Sequence, residues 1–238
     1  MSHTGHSTGA AASRAAGVDA VAHLDDVAVT VRRTPVLRRV DLTLRAGETV
    51  GVLGANGSGK STLLAVLATL VPPAAGHGTV LGRPLGTAAV ATVRPHIALV
   101  GHTPALYPQL TLTENLHLLA RLTGRANSTA DGALRAVGLA GAGGRRAESC
   151  SQGMVRRAEL ARVLLTEPSL LLLDEVHAGL DRDAVGLVDD VVARVRRRGG
   201  ACVLVSHDAE RLVGLVDRTV RVEQGGLRAG SPAGPPPR

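Results

Sequence analysis

The sequence predicts an α/β fold with a mixed sheet whose N-terminal strands run antiparallel and whose core is interrupted by an inserted helical subdomain. Three observations carry this prediction. Apolar residues alternate from about His23 to Arg45, the period of half-buried strands. A glycine-rich turn then joins the apolar run Thr49–Leu53 to a stretch with leucines at helical spacing. Late in the chain, Ser169–Leu173 and Ala201–Val205 are uninterrupted apolar runs of the kind that central parallel strands need, with a helical pattern between them.

Taken in order, residues 1–22 are rich in Ser, Thr, Gly and Ala and are expected to form a disordered tail. The domain proper is expected over 23–229. Leu24, Val27, Val29 and Val31, then Val36, Leu37, Val40, Leu42 and Leu44, make the antiparallel strands. Thr49–Leu53 is a short buried strand, and Leu63, Leu64, Leu67 and Leu70 line a helix from Ser61 to Val71. Thr79–Gly82 and Ile97–Val100 read as strands, and helices are expected over 112–122, 130–139 and 155–165, so the middle of the chain, about 103–157, is the helical insertion. A helix over 184–197 links the two late strands. Gly225-Gly226 and the Pro-rich stretch after Ser231 mark the end of structure, with 230–238 expected to be a second tail.

The glycine-rich turn is the most specific chemical signal. Gly54-Ala55-Asn56-Gly57-Ser58-Gly59-Lys60-Ser61-Thr62 has the spacing of a phosphate-binding loop between a strand and a helix N-terminus. Its glycines let backbone N–H groups close around phosphate oxygens, Lys60 reaches the β and γ phosphates, and the Ser61 hydroxyl serves Mg²⁺. Lys60 is the single lysine of a chain that otherwise uses Arg for every positive side chain. The second signal is Asp174-Glu175, two carboxylates just past a buried strand, where open α/β sheets place their ligands. Two adjacent acids there suit a cation and a water: Asp174 for Mg²⁺, Glu175 for the attacking water.

Composition excludes other classes more than it selects one. No stretch reaches the ~20 apolar residues of a membrane span, and the N-terminal segment lacks the apolar run of a signal peptide. Cys150 and Cys202 show neither metal spacing nor a disulfide framework, which points to a reduced compartment such as the cytoplasm. The formal charge of +7 would suit nucleic acid, but the arginines are scattered in pairs and read as solvated faces.

Between the two phosphate-site motifs lies Cys150-Ser151-Gln152-Gly153-Met154, followed by Arg156-Arg157-Ala158-Glu159-Leu160-Ala161-Arg162. With these residues the chain resembles the ATP-binding subunits of ABC transporters over about residues 23–229. The resemblance implies a signature loop, Ser151, Gln152 and Gly153, that covers the γ-phosphate bound to a second subunit, so that a homodimer is the catalytic unit. It implies that Asp181, in Ala178-Gly179-Leu180-Asp181, belongs to the loop linking the two sites. It also implies that His207, in Ser206-His207-Asp208, contacts the γ-phosphate, and that an integral membrane subunit is driven from the inner face of the cell membrane, with no nucleic acid as partner.

Besides Cys150, Gln152 and Met154 in the signature loop, the chain departs from the family at three places: Val176 follows Glu175 where Pro is usual, Val31 stands where an aromatic often stacks on adenine, and His102 stands where Gln is usual. Gly101-His102 together with Leu110-Thr111-Leu112-Thr113-Glu114-Asn115-Leu116 is similar to the ATPases of the haem exporters of cytochrome c maturation, which adds His102 to Glu175 and His207 as a catalytic candidate. A general export ATPase of the drug or lipid type is the alternative, and a soluble ABC ATPase acting on nucleic acid or the ribosome a more distant one.

The missing aromatic has a measurable consequence. Stacking a base on an aromatic is worth about 1 to 3 kcal/mol, and this chain contains no Phe and no Trp. ATP and GTP are therefore expected to bind within about tenfold of each other, roughly 1.4 kcal/mol. Competition of GTP against labelled ATP measures the ratio, and a hundredfold preference for ATP would mean that Arg32 or Arg33 reads the adenine by stacking instead.

Overall fold

The structure, a computed structural model, describes residues 20–175 and 182–232. Two sheets and one cluster of helices make up the fold. The first sheet is antiparallel, in the order β2-β1-β4-β5, from β1 (Ala20–Val31), β2 (Thr34–Arg45), β4 (Ala75–Val80) and the short β5 (Arg83–Pro84). The second is mixed, in the order β10-β9-β3-β8-β7-β6, from β3 (Thr49–Leu53), β6 (Ile97–Val100), β7 (Leu170–Asp174), β8 (Ala201–Val205), β9 (Arg218–Glu223) and β10 (Gly226–Pro232). Every neighbour pair from β9 to β6 is parallel, and only β10 runs against its partner. The antiparallel N-terminal strands thus form a layer of their own rather than an edge of the mixed sheet.

Side-chain alternation explains how the layers meet. In β7, Leu171 and Leu173 pack with the helical side of the core, whereas Leu170 and Leu172 face the antiparallel sheet and α1 (Lys60–Leu67). Strand β8 divides in the same way, with Cys202 and Leu204 on one face and Ala201, Val203 and Val205 on the other. A strand buried on both faces has no polar side to show, hence the continuous apolar runs. Burial pushes the Cys202 thiol up to about 12, so it acts as a small apolar side chain there.

The helical insertion is α2 (Leu112–Leu122), α3 (Asn127–Ala136) and α4 (Gln152–Thr166), and α5 (Arg182–Arg197) lies between β7 and β8 in sequence. Helix α2 starts with a full capping box: Thr111 Oγ1 accepts from the Glu114 amide and Glu114 accepts from the Thr111 amide. Those bonds hold the Glu114 carboxyl below its usual range. At the far end of α4, Glu167 takes a left-handed conformation (φ 48°) and its carboxylate accepts from Arg125, Arg194 and Arg198. Burial pushes that carboxyl up, but Arg194, Arg198 and Arg125 outweigh it and hold it low. One acid therefore ties the helical insertion to α5.

Several boundaries differ from the sequence expectation. Strand β1 begins at Ala20, inside the segment expected to be tail, because Ala20 pairs with Arg45 and Val21 and Ala22 are buried. Helix α1 stops at Leu67 rather than Val71, where Thr69 turns left-handed (φ 60°) ahead of Pro72-Pro73. Gly225-Gly226 does not end the structure: Gln224 and Gly225, both at positive φ, form a two-residue hairpin turn into β10. That strand runs to Pro232, past the boundary expected at 230, and proline is tolerated there because β10 is an edge.

Truncating the doubly covered strand is expected to destabilise the whole domain. Leu172 is fully buried between β7 and the antiparallel layer, and Leu172→Ala should cost about 2–5 kcal/mol in denaturant-unfolding experiments. Leu122→Ala at the exposed end of α2 should stay within about 0.5 kcal/mol of the parent.

Candidate functional site

The phosphate loop spans the gap between β3 and α1. Gly54 and Gly59 are required by space as well as by conformation: both sit at positive φ, 153° and 113°. A Cβ on Gly54 would stand 2.7 Å from the Val222 carbonyl, and one on Gly59 would stand 2.9 Å from Leu37 Cδ2. The start of β2 therefore runs directly against the loop. Lys60 is buried, and its Nζ donates to the carbonyls of Gly54 at 2.8 Å and Ala55 at 2.9 Å. Among the described residues no carboxylate pairs with it, which leaves the ammonium available to an anion. Ser58 Oγ is enclosed in the loop without a hydrogen-bond partner among the described residues, an orphan polar atom of the kind that a ligand oxygen satisfies. Asn56, Gly57 and Thr62 complete the loop and the first turn of α1.

Three adjacent parallel strands, β8, β7 and β6, deliver the remaining groups at their carboxyl ends. Asp174 closes β7, is buried, and accepts from Ser61 Oγ at 2.9 Å. His102, two residues past β6, brings Nε2 to 3.8 Å from the same Asp174 Oδ2, while most of its ring stays exposed. Glu175 is held left-handed (φ 49°) and its amide donates to the Val205 carbonyl at 3.1 Å. The Ser206 amide in turn donates to the Val52 carbonyl at 3.1 Å, so the ends of β3, β8 and β7 are laced together beyond the strands. This places His207 Nδ1 at 3.2 Å from Glu175 Oε1. Residues 60, 61, 102, 174, 175 and 207, far apart in sequence, thus converge at one edge of the sheet. Ser61 and Asp174 offer a hydroxyl and a carboxylate oxygen within hydrogen-bond distance of each other, a hard-oxygen pair that suits Mg²⁺.

Ser151 caps α4, its Oγ accepting from the Met154 amide at 3.3 Å, and Gln152 and Gly153 form the first turn. Gln152 and His102 both line a cavity of about 400 Å³, with Cys150, Arg156 and Glu159. Ser151 bonds within its own helix, and the structure leaves Ser151 and Gln152 exposed toward solvent rather than on the chain's own phosphate loop. Arg32 and Arg33 form the exposed tip of the β1–β2 hairpin, both left-handed, next to a half-exposed Val31. Asp181, and with it Ala178–Leu180 and Val176, lies outside the described residues.

Sequence reasoning missed two buried polar side chains, Asn115 and Glu159, and the half-buried Arg156 around the His102 loop. The Asn115 side chain accepts from the Tyr107 amide and donates to the carbonyls of Tyr107, Leu110 and Thr111. Glu159 accepts from the Ala105 amide, and Arg156 donates to the Gly101 carbonyl. The Thr111-x-x-Glu114 spacing was a readable capping signal; nothing local in the sequence marks Asn115 or Glu159 as buried.

Comparison with known proteins agrees with this geometry. The family model described as ABC transporter matches residues 37–178. A cytochrome c biogenesis ATP-binding export protein, CcmA, of Rhodospirillum rubrum is 40% identical over 174 residues, covering 72% of this chain and 73% of that protein. The linearmycin resistance ATP-binding protein LnrL of Bacillus subtilis is 32% identical over 198 residues, covering 82% of this chain and 63% of that protein. A solved ATP-binding subunit of an ABC transporter superposes with a TM-score of 0.82 at 26% identity, covering 89% of this chain and 90% of that one. With the phosphate loop, the strand-end acids and the capped α4 arranged as above, the chain belongs to the ATP-hydrolysing subunits of the ABC transporters.

Proposed function

We propose that this subunit drives export in cytochrome c biogenesis, with haem as the cargo class, by hydrolysing ATP as a homodimer beneath a separate membrane-spanning partner. The observation that carries the ATPase part is the convergence of Ser61, Asp174, Glu175, His207 and His102 on one sheet edge. The likeness to a CcmA protein supports the export role. Among the described residues no helix is long and apolar enough to cross a membrane, and in this reading the subunit acts on its membrane partner from the inner face of the cell membrane. The likeness to LnrL supports a second reading, export of a different, drug-like cargo.

In this reading the backbone of Gly54, Asn56, Gly57, Ser58 and Gly59, with Thr62, wraps the phosphates, and Lys60 turns its ammonium from the loop carbonyls onto the β and γ oxygens. Ser61 and Asp174 would hold Mg²⁺, which would supply positive charge against the phosphate oxygens. Glu175 orients the attacking water and takes its proton. His207, hydrogen-bonded to Glu175 on one ring nitrogen, presents the other to the γ-phosphate. His102 supplies a hydrogen-bonding group beside Asp174. Ser151, Gln152 and Gly153 close over the ATP of the second subunit, where the capped end of α4 favours an anion, and Asp181 joins the two sites.

Glu175→Gln tests the chemistry. It should leave ATP affinity within about twofold, lower single-turnover hydrolysis by about 10² to 10⁴, the usual worth of general-base help, and trap an ATP-bound dimer visible by gel filtration. Hydrolysis within tenfold of the parent would remove Glu175 from that role. Deleting the gene tests the cargo: the cell should lose covalently haem-stained c-type cytochromes while keeping their apoproteins, and intact cytochromes would move the assignment to the drug-export reading.

A further inference from the structure

A cavity of about 630 Å³ opens between the two sheets, beside the start of β9, whose Arg218 pairs with Val50 at the start of β3. The phosphate loop follows the other end of β3, so the two sites are separate. One wall of the cavity is the last part of β2, with His23 and Asp25 of β1 beside it, and the other is formed by β9 and β10. Toward the phosphate loop the walls close on each other. There the Arg38 amide donates to the Gly225 carbonyl at 2.8 Å, and a Cβ on Gly225 would stand 2.6 Å from the Val36 carbonyl. At the wide end a side chain spans the gap: Arg218 Nη2 donates to the Thr43 carbonyl at 2.6 Å. Both walls continue to the phosphate loop. β2 leads back to Leu37, against Gly59, and β9 leads on to Val222, whose carbonyl lies against Gly54.

The lining selects a ligand by charge. Its acids are already engaged: Asp25 pairs with His77 at 3.0 Å, and Asp41 accepts from the Asp26 amide at 2.8 Å. Arg45, by contrast, is exposed and has no acid partner among the described residues. His23 engages Thr43 Oγ1 through Nδ1 at 3.0 Å, which leaves Nε2 for a further contact. Val220 and Leu227 add an apolar surface. A cavity of this size suits a small organic molecule, and a guanidinium suits its carboxylate. We propose that the cavity is an effector site for an amphipathic organic anion, an apolar body bearing carboxylates. Its occupancy spreads walls that end on Gly54 and Gly59, and so changes the fit of the phosphate loop to nucleotide. Haem, an apolar ring bearing carboxylates, belongs to this class, and through this site the ATPase subunit senses its own cargo. The choice of ligand rests on the haem-export reading above.

Iron-free protoporphyrin IX, which keeps the ring and the carboxylates and fluoresces, is the probe. Titrated into the purified subunit it should bind saturably, at one site per chain. Saturating porphyrin should shift ATP affinity by at least about threefold, and ATP should shift porphyrin affinity by the same factor, because coupling between sites is reciprocal. Arg45→Glu should weaken porphyrin binding by about tenfold or more through loss of the carboxylate partner, with ATP affinity in the absence of porphyrin within about twofold of the parent. Arg45→Lys keeps the charge and should stay within about threefold for porphyrin. Absence of saturable binding, or binding that Arg45→Glu leaves unchanged, would overturn the site. Porphyrin held at the site without any shift in ATP affinity would overturn the coupling. The haem-export reading fails by a different result, intact c-type cytochromes after gene deletion, which leaves the porphyrin titration to stand or fall by itself.

Discussion

The hydrogen bond from Ser61 Oγ to Asp174 Oδ2, 2.9 Å long, is the constraint on which the site depends, because it fixes the first turn of α1 against the carboxyl end of β7. Both partners are delivered by elements that have no other place to go. Lys60–Leu67 is a helix pinned at its start by Gly59 against β2, and Leu170–Asp174 is a strand covered on both faces. A hydrogen bond to a charged group is worth about 1.5–3 kcal/mol, far less than the burial of the leucines behind it. The core therefore sets the position of the bond, and the bond sets the distance between the loop and the acids.

From that point the rest of the site follows by strand order. β3, β8, β7 and β6 are neighbours and parallel, so whatever follows each strand emerges on the same edge: the phosphate loop, His207, Asp174 with Glu175, and His102. Parallel order is what makes residues more than 140 positions apart into neighbours. The helical insertion sits on the far side of His102 and is attached there by polar groups rather than by apolar packing alone. Glu167 ties its base to α5, while Arg156 and Glu159 tie its last helix to the loop. These directed bonds fix orientation on top of the apolar cluster that the helices share with β6, β7 and β8.

How much of this was legible in the sequence varies with how local the cause is. The phosphate loop, the strand-end acids and the doubly buried strands were readable, since each is written in consecutive residues and its period or spacing has one physical meaning. The separate antiparallel layer was not, because alternation in 23–45 reports one buried face without saying which sheet lies beneath it. The helix ends were misplaced where a single residue turned left-handed, as at Thr69, a conformation that Thr rarely adopts. Gly225 was taken as an ending because a Gly-rich pair before a Pro-rich stretch has the composition of a tail, whereas its pairing across the turn depends on β9. Asn115 and Glu159 were invisible for the same reason: a polar residue in a helix shows its partner only once the loop it holds is folded against it.

That Lys60 faces a bound polyphosphate can be tested directly, because the chain has no other lysine side chain. Acylation of Lys60 by an amine-directed reagent, followed by peptide mapping with and without saturating ATP, reads that one ammonium. The account predicts that ATP slows modification of Lys60 by at least about tenfold, the equivalent of roughly 1.4 kcal/mol, and that adenosine without phosphates does not. Acylation at the same rate in the presence and absence of ATP would contradict it.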